Sequence, residues 1–200
     1  FVNGTVVILI NDGMSGGVWQ VTELPPIDVG MHPVDIAVID IDGDGIANDL
    51  VVANYWSQTV SILTNDGSAS FTTTEVDTDW GPKYIAVADF YRVDGDLGLD
   101  DIAVACDSYD ITVLKNISSL VGPSFEFVSS IGIAQPGGIL PGDVNNDKDF
   151  DYIILNIVND GVNVFVGDGT GTFPPYAPIV TNNLSSGSDS VEMAFVDLDS

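Results

Sequence analysis

The sequence predicts an all-β protein built from repeated units of four antiparallel strands. Three observations carry this expectation: short apolar runs rich in β-branched residues, tight-turn sequences between them, and an acidic loop recurring with a period of about fifty residues. Composition agrees. The 200 residues include 21 Gly and 10 Pro, and of the 30 acidic residues only Glu23, Glu75, Glu126 and Glu192 are glutamate. A helix-rich acidic protein uses Glu, whereas Asp prefers turns and loops.

Taken in chain order, the apolar run 6–10 reads as the third strand of an incomplete first unit, closed by the turn sequence Asn11-Asp12-Gly13. Asn, Asp and Gly accept positive φ at low cost, which suits them to such turns. Pro33-Val34-Asp35-Ile36-Ala37-Val38 then opens a complete unit and leads into an acidic loop at Asp40. Leu50-Val51-Val52-Ala53 is too short and too β-branched for a helix, so it is the second, buried strand. The run 60–63 is the third strand, Asn65-Asp66-Gly67 the turn after it, and a more polar fourth strand lies around Phe71.

The same order recurs twice. Pro82-Lys83-Tyr84-Ile85-Ala86-Val87, an acidic loop from Asp89, Ile102-Ala103-Val104-Ala105, the run 111–114 and a strand around Phe125 form the next unit. Pro136-Gly137-Gly138-Ile139, a loop from Asp143, Tyr152-Ile153-Ile154-Leu155, the run 162–166, the turn Gly167-Asp168-Gly169 and a strand around Phe173 form another. Residues 189–195, leading to Asp197-Leu198-Asp199, begin a further copy. The loops start at 40, 89, 143 and 197, spaced by 49, 54 and 54 residues.

Four antiparallel strands per repeat of this size is the content of one β-propeller blade, and radial stacking needs a period where a sandwich does not. The expectation is one domain over 1–200, with units near 1–30 (partial), 31–80, 81–133, 134–186 and 187–200 (partial): about three full blades and partial blades at both ends. A chain that starts within a strand-like run and stops within an acidic motif reads as a mature piece or a fragment. Incomplete end units also raise self-assembly, in which copies complete each other's blades.

The formal net charge of −26 repels phosphate backbones and anionic headgroups, so nucleic acid is excluded as a partner. The longest uninterrupted apolar stretch has five residues, far short of a membrane span, so no membrane insertion is expected. With 45% apolar residues the chain is nonetheless a folded one. Cys106 has no second cysteine to pair with, and with a single histidine, His32, there is no triad or thiol dyad. The sequence therefore gives no sign of an enzyme.

The acidic loops read as cation sites. Asp143-Val144-Asn145-Asn146-Asp147-Lys148-Asp149-Phe150-Asp151 places oxygen side chains at alternate positions. Calcium takes six to eight oxygens at about 2.3–2.6 Å, and alternate residues of a tightly curved loop can point inward together. Zinc prefers nitrogen or sulfur ligands, which this chain barely has. Asp40, Asp42 and Asp44 open the equivalent loop, closed by Asn48 or Asp49; alignment on the following strand favours Asp49, since Asp101 and Asp151 also directly precede theirs. In the middle loop Asp94, Asp96 and Asp101 align with the first, while Asp89 stands further upstream, and Asp197 and Asp199 open the last. An EF-hand is ruled out: its bidentate Glu belongs at the twelfth loop position, which here is Val51 or Ile154 within a strand.

The Asp-x-Asp-Gly-Asp-Gly run before an apolar strand, together with Val-Asn-Val-Phe-Val-Gly-Asp-Gly-Thr-Gly-Thr-Phe over 162–173, resembles the FG-GAP and VCBS repeats of integrin-α-like β-propellers. The resemblance covers nearly the whole chain. It implies calcium held by Asp40, Asp42, Asp44 and Asp49, and by Asp143, Asn145, Asp147 and Asp151, with backbone carbonyls from Ile46 and Asp149. Three departures are the insertion after Asp89, a lysine, Lys148, where the pattern has glycine, and the truncated loop from Asp197.

Tyr55-Trp56 and Tyr109 follow the second strands and are candidate contacts for glycans or extracellular proteins. Asn3, Asn116 and Asn183 begin glycosylation sequons. Calcium loops are useful where calcium is abundant, so these features together give an extracellular or cell-surface expectation. The function expected is a calcium-rigidified adhesion or assembly module. The alternative is a carbohydrate-binding propeller or an accessory domain of a secreted polysaccharide-acting enzyme.

Overall fold

A computed structural model describes residues 4–43, 45–92, 98–118, 122–133, 135–156 and 161–171. Among these residues the fold is all-β, with fifteen strands and no helix. No helix among them is long and apolar enough to cross a membrane.

Two complete meanders form the centre. β5 (Pro33–Ile39), β6 (Asp49–Asn54), β7 (Thr59–Asn65) and β8 (Phe71–Asp77) make one antiparallel sheet in chain order. β9 (Pro82–Ala88), β10 (Asp101–Cys106), β11 (Asp110–Asn116) and β12 (Phe125–Gly132) make the next. β13 (Pro136–Gly142), β14 (Asp151–Asn156) and β15 (Gly161–Phe165) repeat the first three positions. The strand around Phe173 and the copy beginning at residue 189 lie outside the described residues.

The second strands are covered on both faces, which is why they read as unbroken apolar runs rather than alternating ones. Every residue of β10 is buried. The outer strand β8 is mostly exposed and correspondingly polar, with Thr72, Thr73, Thr74 and Glu75 in succession.

Sheet packs on sheet. Ile39, Val51, Ala53, Val60 and Ile62 of the first meander meet Ile85, Ile102, Val104, Cys106 and Leu114 of the second. On its other face the second presents Ala86, Ala103, Ala105, Ile111 and Val113 to Ile139, Tyr152, Ile154 and Phe165 of the third sheet. The first strands are neighbours, β9 lying against both β5 and β13. Polar bonds cross the same junction: the Ile85 amide donates to Asp35 Oδ2 at 2.8 Å, and Asn116 Nδ2 donates to the Ile41 carbonyl at 3.0 Å.

The N-terminal segment departs from the expectation. The run 6–10 is split between β1 (Gly4–Val6) and β2 (Leu9–Ser15). β2 pairs with β3 (Val18–Glu23), and β1 pairs with β4 (Ile27–Val29). Asn11-Asp12-Gly13 is not the turn but lies inside β2, at a register shift where Asn11 Oδ1 accepts the Gly13 amide at 2.9 Å. The hairpin turns instead at Gly16 and Gly17, with φ of 61° and 81°. A type I′ two-residue hairpin loop needs two consecutive positive φ values, which a Gly-Gly pair supplies more cheaply than Asn-Asp.

Candidate metal centre

The acidic loops join the first and second strands of each sheet. The aspartate that closes each loop, Asp49, Asp101 or Asp151, is buried at the start of its second strand. Its carboxylate makes the same two bonds every time. One oxygen accepts the amide of a residue near the loop's beginning: Ile41 at 3.3 Å, Tyr91 at 2.9 Å or Val144 at 2.8 Å. The other accepts an amide at the end of the third strand or just beyond it: Asn65 at 2.7 Å, Asn116 at 2.8 Å or Gly167 at 2.8 Å. Each closing carboxylate is thus a clasp between loop and sheet.

The first and third loops also share their interior bonding. Asp40 Oδ1 and Oδ2 accept the amides of Gly43 and Gly45, both at 2.8 Å. Asp143 does likewise, Oδ1 accepting from Asn146 at 2.6 Å and Oδ2 from Lys148 at 2.9 Å. The amide donors adopt matching left-handed backbone, with φ of 74° and 84° at Gly43 and Gly45 and 61° and 79° at Asn146 and Lys148. Lys148 thus takes the conformation that the expected glycine would take. In the third loop Asn145 Nδ2 donates to Asp147 Oδ2 at 2.7 Å, and Asp147 Oδ1 accepts the Asp149 amide at 2.9 Å.

Alanine at these glycines has a calculable cost. At Gly45 an added Cβ meets nothing within 4 Å, so Gly45→Ala should lose only the left-handed penalty, about 1–2 kcal/mol. At Gly43 the Cβ would lie 2.6 Å from Leu99 Cδ2 of the neighbouring loop. Gly43→Ala is therefore expected to lower the urea midpoint further than Gly45→Ala; equal losses would mean that Leu99 does not pack there.

The middle loop is built differently. Asp89 Oδ2 lies 3.4 Å from Arg92 Nε, and Arg92 donates to the Lys148 carbonyl, tying this loop to the third. The Arg92 amide donates to Gly169 O at 2.7 Å. Asp100 Oδ2 accepts the Asp40 amide at 3.2 Å, joining the first and second loops.

Electrostatics reflect the crowding. Burial pushes the Asp49 carboxyl above the usual carboxylate value, and Asp42 and Asp40 add repulsion against the pull of its two amide bonds. Asp151 is raised in the same way by burial, with Asp147 and Asp143 contributing. Burial raises Asp100 as well.

Asp42 and Ile46 lie on the exposed rim of the first loop. Asp44, Asp94, Asp96, Asp197 and Asp199, with the sequon residues Asn3 and Asn183, lie outside the described residues. Among the described residues no group of three or more His, Cys, Asp or Glu side chains forms a metal-holding cluster. The donor set of the loops is all oxygen, the chemistry a hard cation takes.

Asn116 does not project as a sequon in a loop would. It is buried at the end of β11, its Nδ2 engaged by Ile41 and its Oδ1 accepting the Ser118 amide at 3.0 Å. Cys106 is buried too, and burial pushes its thiol up to about 12, which keeps it out of thiolate chemistry.

The aromatic residues gather at the other end of the sheets, where second strands turn into third ones. Tyr55 and Trp56 join two residues not grouped with them by sequence, His32 and Trp80. Tyr109 occupies the corresponding turn of the second sheet, 51% exposed, with no ring contact among the described residues. No protein-family model matches this chain, and no curated protein matches it either.

Proposed function

We propose that this chain is a calcium-stabilised, extracellular β-propeller segment that serves adhesion or assembly and carries out no chemistry of its own. The observation that supports the reading best is the shared build of the first and third loops. Their leading carboxylates hold amides three and five residues on, and their closing carboxylates make the same clasp. Neighbouring first strands, with meanders running outward from β5 and β9, are consistent with radially stacked blades.

In this reading Asp40, Asp42, Asp44, the Ile46 carbonyl and Asp49 hold one calcium ion. Asp143, Asn145, Asp147, the Asp149 carbonyl and Asp151 hold another. The ion supplies positive charge where burial and crowding disfavour ionised carboxylates. At free calcium a hundredfold above Kd, each site would add about 2.7 kcal/mol to stability. Calcium should therefore raise the melting temperature by several degrees over the chelated protein, and Asp143→Ala should remove part of that rise. Superimposable melting curves with calcium and with chelator would sink the proposal. Partners in this reading are extracellular proteins, glycans or further copies of the chain.

A further inference from the structure

We propose that the end of the sheets opposite the acidic loops binds a neutral oligosaccharide on an aromatic platform formed by His32, Tyr55, Trp56 and Trp80. This site is separate from the calcium reading and does not rest on it. The His32 ring stacks on Trp56 with centroids 4.4 Å apart and planes 14° from parallel. Tyr55 meets His32 edge-on at 5.7 Å and Trp80 edge-on at 5.6 Å, so the four rings form a continuous row across two adjacent sheets.

The rings are exposed yet held. Trp56 is 56% and Trp80 53% exposed. Backbone bonds fix their positions: Tyr55 and Trp56 amides donate to the His32 and Met31 carbonyls at 3.0 and 3.2 Å, and the Ser108 amide donates to the Trp80 carbonyl at 3.0 Å. His32 is kept at φ 58°, a left-handed conformation rare outside glycine and often found where function requires it. Tyr55 Oη donates to Asp107 Oδ2 at 2.6 Å, pinning the central ring. Large half-exposed aromatic surfaces held in this way mark a binding site rather than a core.

The chemistry beside the rings selects the ligand. Lys83 Nζ lies 3.5 Å from Asp107 Oδ1, so this charged pair next to the platform is balanced, and the Asp79 carboxylate beside Trp80 accepts the Thr112 and Ser130 hydroxyls at 3.0 Å. The pair still offers an acceptor and a donor for hydroxyl groups. Exposed aliphatic side chains, which an apolar peptide would pack against, lie on the N-terminal hairpin, at Leu9, Met14, Val18 and Val21, and along β5, at Val34, Ile36 and Val38. A sugar ring has an apolar C–H face for stacking and hydroxyls around its edge for hydrogen bonds, matching aromatic faces flanked by one donor and one acceptor. Four rings in a row suit several linked sugar units better than one.

The test titrates the whole chain with cellohexaose, mannohexaose and chitohexaose, and in parallel with a lysine-rich peptide, following tryptophan emission and heat. At least one hexasaccharide should bind with Kd of about 1 mM or tighter and change the emission. Trp56→Ala and Trp80→Ala should each weaken that binding about tenfold or more, while Trp19→Ala on the hairpin leaves it unchanged. Unaltered melting of each variant separates loss of contact from loss of fold, and where a variant melts early the emission change of the unsubstituted chain decides. Absence of binding by all three sugars, binding that survives both substitutions, or binding of the peptide alone would overturn the proposal.

Discussion

Replacing Asp101 by asparagine is expected to lower the free energy of unfolding by about 2–4 kcal/mol, since a buried carboxylate that accepts two amides loses one bond and confronts a donor with a donor. Asp101 is 2% exposed, and its oxygens accept from Asn116 at 2.8 Å and Tyr91 at 2.9 Å. Asparagine keeps the size of the side chain but has one accepting oxygen. Its amide group would point at either the loop or the third strand, leaving a buried backbone N–H unsatisfied. The same change at Asp49 or Asp151 should act in the same direction. Urea unfolding measures this directly, and a loss below about 0.5 kcal/mol would show that the clasp contributes no more than an ordinary surface group.

Phe90→Ala should cost more, about 3–5 kcal/mol, as large-to-small changes at buried aromatic positions do. Phe90 stands beside Asp89 at the mouth of the middle loop and is 2% exposed. Its ring meets Tyr152 edge-on at 4.6 Å and Phe150 at 6.3 Å, so it spans from the second sheet to the third. Removal leaves a cavity at the junction and withdraws a contact that couples the two sheets. The expected readout is a lower urea midpoint with a broadened transition as the third sheet loosens first. A variant that unfolds at the parent midpoint would place the coupling elsewhere.

The period and the runs of β-branched residues were enough to place β5 to β7, β9 to β11 and their loops, because burial on both faces writes itself directly into a sequence as unbroken apolar residues. The N-terminal hairpin was harder to read. Asn11-Asp12-Gly13 and Gly16-Gly17 both carry turn chemistry, and pairing with β3 decides between them. The closing aspartates were visible as a repeated position, yet their clasp was not, since half of it is an amide 15 or 16 residues further along. Nor did spacing join His32 and Trp80 to Tyr55: those contacts depend on how two sheets meet. Phe90, a single aromatic among acids, carries no periodic signal, although it plugs the loop into the core.

The clasp has a consequence for how much sequence a loop can carry. Its two bonded ends are eight residues apart in the first loop, ten in the second and seven in the third. One anchoring geometry therefore tolerates different lengths between fixed posts. Loop length between those posts varies while the first and second strands keep the same antiparallel pairing in each of the three sheets.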